Sequence, residues 1–296
     1  MRLISYRDGA TGDTLGVAAG DRWVPANTLL PTGPSTMAEL LAGGPAALEA
    51  LRSAAAAARI ADEGRSLDDV ELLAPVPRPG KIVAIGRNYR EHTDEEGAAA
   101  PAAPLVFSKW PSSVIGHGAE IQWDPALTTQ VDYEAELAVV IGRTARRVTE
   151  ADALGHVLGY TCLNDVSARD LQFGDGQWTR GKSLDTFCPM GPMLVTADEI
   201  ADPQDLDITC RVDGRLLQSS NTSQMFFGVA AIISFCSQAF SLEPGDVIAT
   251  GTPGGVGIFR DPPILLGDGD EVTVEIESIG RLVNICHFDR AAVASA

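Results

Sequence analysis

The segment Val131-Asp132-Tyr133-Glu134-Ala135-Glu136-Leu137-Ala138-Val139-Val140-Ile141 sets two carboxylates ahead of an apolar run. Side chains alternate faces along an extended chain, so Glu134 and Glu136 are expected on the same side. Like charges leading into a buried strand are costly unless a shared proton, a basic partner or a cation neutralises them. A hard divalent ion, Mg²⁺ or Mn²⁺, does this best among oxygen ligands and leaves room for water and substrate. The third ligand falls to Asp165, which ends a second apolar run, Gly159-Tyr160-Thr161-Cys162-Leu163-Asn164. For E-x-E alone, an exposed acidic sheet face is the plainer alternative.

Two further groups have types suited to chemistry. His92 stands in Arg87-Asn88-Tyr89-Arg90-Glu91-His92-Thr93-Asp94-Glu95-Glu96-Gly97. In a helical turn, Glu95 or Glu96 shares its face, and a carboxylate beside imidazole raises its pKa and orients it for proton transfer. A solvated acidic helix that merely contains a histidine is the other reading. His117, His156 and His287 have no partner at metal-ligand spacing, so zinc chemistry is not expected. Gly176-Gln177-Trp178-Thr179-Arg180-Gly181-Lys182-Ser183 matches a phosphate-loop pattern, but no apolar strand precedes it and prolines at 189 and 192 interrupt any helix after it. Lys182 is instead a candidate for binding a substrate carboxylate or steadying an enolate oxygen, against the alternative of a surface lysine.

These residues need elements to hold them. Residues 1–75 read as a small first region: a strand-like start, a turn at Gly9-Ala10-Thr11-Gly12-Asp13, and helix through 37–41 and the alanine-rich 46–61. The run Pro75-Val76-Pro77-Arg78-Pro79-Gly80 marks a boundary, and 76–296 forms the second domain. Strands are expected at 81–86, 105–107, 133–141, 158–164, 193–195, 207–212, 247–249 and 271–279, with a hairpin turn at Asp213-Gly214. The convincing helices there lie near 149–156 and 225–240. Strands and helices do not alternate regularly, so the class is β-rich α+β.

The chain of 296 residues carries 22 Lys plus Arg against 40 Asp plus Glu, a formal charge of −18. That field disfavours nucleic acid and anionic lipid partners. No apolar run approaches the ~20 residues of a membrane span, and the first residues lack a signal-type apolar segment. Five scattered cysteines form no C-x-x-C pair and are expected as buried thiols. A cytoplasmic location follows as the expectation.

The motifs, taken in order, resemble the fumarylacetoacetate hydrolase family over about residues 81–286: Gly86-Arg87-Asn88-Tyr89 with His92, Tyr133-Glu134-Ala135-Glu136-Leu137, Asn164-Asp165-Val166-Ser167-Ala168-Arg169-Asp170-Leu171-Gln172, Gly181-Lys182-Ser183, and Thr250-Gly251-Thr252-Pro253-Gly254-Gly255-Val256-Gly257. The first region resembles the small N-terminal α/β domain of bacterial members. The resemblance implies a β-sandwich-roll catalytic domain, a homodimer, and one Mg²⁺ or Mn²⁺ per chain held by Glu134, Glu136 and Asp165. It assigns Lys182 and the pair His92–Glu95 to catalysis, with the register open between Glu95 and Glu96. Arg87, Tyr89, Arg169, Gln172 and Thr252 fall at substrate-binding positions. No counterpart exists of the extra aspartate ligand of the longer eukaryotic members.

The expected activity is hydrolysis of a carbon–carbon bond in a small 1,3-diketo acid of acylpyruvate or fumarylpyruvate type, with water activated by His92 and a metal-bound enolate as intermediate. The runner-up keeps the site and omits water: isomerisation of a 2-hydroxyhepta-2,4-diene-1,7-dioate or hydroxymuconate-type acid, or decarboxylation of an oxo acid such as oxaloacetate. A third reading is a non-catalytic metal-binding scaffold.

Overall fold

The computed structural model describes residues 1–9 and 12–289, so Ala10 and Thr11 of the expected first turn lie outside the described residues. Most strands join one 12-stranded sheet. Its main path runs Arg65–Ser66, Arg22–Pro25, Gly12–Ala19, Arg2–Asp8, Cys188–Thr196, Val157–Asn164, Ala135–Ile141, Val247–Ala249, Ile82–Gly86 and Leu105–Lys109. A five-stranded sheet is built from Arg215–Asn221, Asp207–Val212, Glu271–Ile276, Gly280–Phe288 and Glu120–Trp123. The β-rich mixed class read from the sequence is the class observed.

Ala135–Ile141 shows why the two sheets come together. Ala135, Leu137, Val139 and Ile141 pack in one cluster with Ile208, Cys210, Val272, Val274 and Ile276 of the smaller sheet. Ala138 and Val140, on the opposite face, pack in a second cluster with Leu3, Leu15, Leu40 and Leu51. Both faces are therefore buried, which accounts for a run of apolar residues without polar alternation.

The first region does not stand apart from this core. Arg2–Asp8 pairs antiparallel with Cys188–Thr196, Arg2 opposite Val195, and Ser5 donates to the Pro75 carbonyl at 2.8 Å. Its long helix, Met37–Ala56, starts on Thr36, whose hydroxyl accepts from Glu39 N–H, and kinks at Gly44 before Pro45.

In the second region the expected helices occur as Glu150–Ala153, running into a 3-10 turn at Leu154–His156, and as Val229–Ala239. The hairpin at Asp213-Gly214 is made as expected, with both residues at positive φ (49° and 74°), the backbone that suits a two-residue turn between twisted strands. The extended run expected from Tyr133 breaks differently. Val131–Asp132 pairs with Ser167–Ala168 as a separate ribbon, and the regular strand begins only at Ala135. Among the described residues no helix is long and apolar enough to cross a membrane.

Candidate active site

Glu134 sits at that break, Glu136 is the second residue of the strand that follows, and Asp165 comes just after the neighbouring strand Val157–Asn164. Antiparallel register sets Ala135 opposite Asn164, so the start of one strand lies beside the end of the other. The Asp165 N–H donates to the Glu134 carbonyl at 2.9 Å, and the Glu134 N–H donates to Asn164 Oδ1 at 3.0 Å. The three buried side chains each bring a carboxylate oxygen within 4.8 Å of the others. The convergence expected from the sequence is thus present, although Glu134 reaches it from the break between two strands rather than from strand alternation.

Three buried cations surround the triad. Lys182 Nζ donates to Glu134 Oε2 at 2.6 Å and to Asp165 Oδ2 at 2.9 Å. Arg169 Nη1 lies 2.7 Å from Glu134 Oε1. Lys109 Nζ donates to Asp165 Oδ1 at 2.7 Å. Burial works against a charge on Glu134, but Lys182 and Arg169 outweigh it and hold the carboxyl below its usual range. Glu136 is different. Burial, then the charges of Asp165 and Glu134, push its carboxyl well above the usual range, and its hydrogen bond is with Gly251 N–H at 2.8 Å. Among the described residues no basic side chain forms an ion pair with Glu136. Three hard oxygen donors with one acid left unbalanced make a donor set that fits a small divalent cation.

The helix Arg169–Asp175 brings Arg169 and Gln172 to the site from one face, three residues apart. Arg169 Nη1 also donates to Gln172 Oε1 at 2.9 Å. Behind it, Asp132 accepts from Arg169 Nε at 2.9 Å and from the N–H groups of Gly257 (2.8 Å) and Ile258 (3.0 Å). A Cβ on Gly257 would meet the Ile264 carbonyl, so that close loop approach requires glycine. Gln218, from the smaller sheet, donates to Thr252 Oγ1 at 2.8 Å and accepts from Ala135 N–H at 2.9 Å, fixing Thr252 against the strand.

His92 lies on the helix Arg90–Glu96, closed by Gly97 in the left-handed conformation. Its nearer carboxylate is Glu96, with Nε2 3.2 Å from Oε1. Glu95 Oε2 is 3.8 Å from Nδ1, beyond hydrogen-bond reach. Glu95 instead accepts from Gly255 N–H at 2.6 Å and pins the helix to the glycine loop. The register left open between the two acids therefore falls, by contact distance, on Glu96 rather than on Glu95. Glu96 also receives Arg87 Nε at 2.6 Å. Burial opposes a charge on His92, yet Glu95 and Glu96, with Glu134 farther off, raise its pKa to about 9.

A cavity of about 270 Å³ is bounded by Arg87, His92, Glu134, Glu136, Arg169, Gln172, Lys182 and Thr252, with Phe107, Phe173, Trp178 and Phe259 as apolar walls. Its size is near the lower end for small-molecule sites. Tyr89 is the exception among the expected contacts. It is fully buried and outside the cavity wall, because Asn88 beside it is clamped to Thr250 and Phe227 and turns the tyrosine into the core. A wider cleft of about 890 Å³ lies between the first region and the segment 114–119 and contains none of these residues. After Lys182 no helix follows, so the phosphate-loop pattern lacks its structural context.

Lys109, Asp132 and Gln218 were not among the residues singled out from the sequence. Lys109 offered one signal, a cation ending an apolar strand. Asp132 offered another, a third acid beside E-x-E. The partners that give them meaning lie 56 and 37 residues away.

A family model described as the C-terminal region of fumarylacetoacetate (FAA) hydrolase matches residues 81–286. The chain belongs to the fumarylacetoacetate hydrolase family. Among its relatives, oxaloacetate tautomerase FAHD2B, mitochondrial, of Bos taurus is 46% identical over 289 residues, covering 96% of this chain and 91% of the relative. Among solved structures, fumarylacetoacetate hydrolase (EaFAH) from psychrophilic Exiguobacterium antarcticum superposes with a TM-score of 0.84 at 38% identity, covering 98% of this chain and 100% of that one. Maleylpyruvate hydrolase from Sphingobium sp. SYK-6, in complex with manganese (II) ion and pyruvate, gives 0.79 at 32% identity, covering 98% and 100%. Members of this enzyme family thus share the fold over nearly the whole chain.

Proposed function

We propose that this enzyme is a tautomerase of a small oxo dicarboxylic acid, with oxaloacetate as substrate, moving one proton between carbon and oxygen without adding water. The observation that carries the reading is the setting of His92, buried in the cavity wall beside Glu96 with Glu95 close by, so that its imidazole keeps a proton at neutral pH. A protonated imidazole is a poor base for activating water but can give its proton to an enolate, and the neighbouring Glu96 carboxylate, which also lines the cavity, can accept the proton that leaves the substrate. The bovine relative's name, oxaloacetate tautomerase, supports the same choice. The hydrolysis expected from the sequence becomes the second reading, supported by the manganese-bound maleylpyruvate hydrolase that shares the fold.

Glu134, Glu136 and Asp165 would hold Mg²⁺ or Mn²⁺. Such an ion, when bound, polarises an oxo oxygen as a Lewis acid. The chain's own groups do the rest. Arg169 and Lys182 set a positive field where an enolate oxygen develops, which is the kind of preorganised stabilisation that lowers barriers most. Lys182 lies 5.4 Å from the Phe107 ring centre, so that wall keeps water from its ammonium. Arg87, reaching the cavity from Glu96, meets the substrate's far carboxylate, while Thr252 and Gln172 orient the near one. Buried free cysteines at 162, 188, 210, 236 and 286 suit a reducing compartment, and we place the protein in the cytoplasm.

Metal-loaded protein incubated with oxaloacetate, an acylpyruvate, maleylpyruvate and a hydroxymuconate, with and without chelator, tests the choice. Faster keto–enol conversion of oxaloacetate, lost on chelation, is the expected result. Pyruvate plus a second acid from an acylpyruvate would establish hydrolysis instead.

A further inference from the structure

Lys182 and Trp178 leave one turn of the chain, since the Lys182 N–H donates to the Trp178 carbonyl at 3.0 Å. The segment set aside as a phosphate loop thus sends two side chains to the same cavity. Phe107 links them. Its ring centre is 5.4 Å from Lys182 Nζ, and it meets the Trp178 indole edge-on, with ring centres 5.4 Å apart and planes at 73°. The indole in turn carries Arg87, whose guanidinium carbon stands 5.9 Å from the ring centre, within cation–π range. One wall of the cavity therefore runs from Lys182 at the triad, across two aromatic rings, to Arg87.

Arg87 is held from several sides. Its backbone takes φ of 55°, which a residue with a Cβ seldom adopts, and Asn88, donating to the Phe227 and Thr250 carbonyls, locks the chain that follows. A Cβ on residue 86 would strike the indole, so Gly86 lets ring and backbone touch. Nε goes to Glu96 at 2.6 Å, while the Nη groups have no protein acceptor among the described residues and stay open to a ligand. We propose that Trp178 is a specificity-determining residue: it holds Arg87 where the far carboxylate of a four-carbon dioic acid meets it, and it fills the space that a longer chain needs. The inference rests on the reading of the substrate as a small oxo dicarboxylic acid, and the cavity of about 270 Å³ suits the short end of that class. Removing the indole opens room and frees Arg87, and both changes favour longer acids. General loosening of the site weakens every length alike, so the ratio of affinities isolates the role of Trp178.

Calorimetric titration of the magnesium-loaded full chain with succinate, glutarate and adipate tests this, using the wild type, Trp178→Ala and Trp178→Phe. These acids do not react, so the measurement does not depend on turnover. The wild type should bind succinate most tightly and lose about tenfold for each added methylene, the lower end of what one methylene is worth in a fitted pocket. In Trp178→Ala the ratio of succinate to adipate affinity should fall by about tenfold or more, and Trp178→Phe, whose ring is smaller, should lie between; should the alanine variant not fold, the phenylalanine variant decides by the same ratio. A wild type without length preference, or binding none of the three, would overturn the proposal, as would a variant that weakens all three equally. A preserved length preference in a protein that leaves oxaloacetate unexchanged in D₂O would overturn the tautomerase reading instead, which is a distinct result.

Discussion

With its pKa raised to about 9, His92 carries a proton through the neutral range and loses it only in mild alkali. A histidine whose folded pKa lies above its free value of about 6.5 stabilises the fold fully below that value, and loses the contribution as pH rises through the folded pKa. The catalysed rate, if it uses the imidazolium, should follow the same limb, steady below pH 8 and falling through about pH 9. Glu96→Gln removes the nearer carboxylate and should shift that limb to lower pH in a pH–rate profile, whereas an unmoved limb would detach Glu96 from His92. His92→Ala should lower the catalysed rate about 10²-fold or more while calorimetry shows Mn²⁺ affinity unchanged; equal activity would remove the histidine from the reaction. At this scale the sequence was most legible where chemistry is local. Glu134 and Glu136 stand two residues apart ahead of an apolar run, and Glu95 and Glu96 follow His92 by three and four residues. Lys109 was hidden, because a lysine at the end of Leu-Val-Phe-Ser-Lys looks exposed until Asp165 is folded beneath it.

Among the elements, the short helix Arg169–Asp175 and the loop at Gly257 hang on one carboxylate. Asp132 holds Arg169 and accepts the N–H groups of Tyr133, Gly257 and Ile258, all from a fully buried position. Asp132→Ala strips a buried guanidinium of one partner and leaves backbone donors unpaired, so it should cost about 3–5 kcal/mol in urea unfolding. A loss below about 1 kcal/mol, the scale of an exposed pair, would show that Asp132 carries little of the fold. Long apolar strands and the Asp213-Gly214 hairpin were readable because their patterns repeat over several residues. The helix carrying Arg169 and Gln172 was not, since seven residues are too few to display a helical apolar stripe. The break at Tyr133-Glu134 was equally silent, because it is imposed by the ribbon that Val131–Asp132 forms with Ser167–Ala168.

Over the whole molecule, the sheet passes from the first region into the second at Arg2–Asp8 and Cys188–Thr196. Proline-rich 75–80 read as a boundary, but long-range strand pairing is invisible to local composition. Because Trp23 of the first region is buried in the same cluster as Val139 and Tyr160, indole fluorescence and far-ultraviolet circular dichroism should report one coincident unfolding transition. Two separated transitions would mean that residues 1–75 unfold by themselves. We also propose a homodimer in solution, for which light scattering should give twice the 31.1 kDa chain mass; a monomer at micromolar concentration would contradict it. On the proposed function, Arg87, Arg169 and Lys182 are the cavity cations that would meet an anionic acid within a chain that carries −18 overall. The most direct measurement follows oxaloacetate in D₂O by proton magnetic resonance with manganese-free, magnesium-loaded protein at low concentration. Loss of the carbon-3 proton signal well above the buffer rate, with no pyruvate formed, is the expected result. Pyruvate appearing in step with substrate loss, or no exchange above buffer, would contradict proton transfer as the reaction of this site.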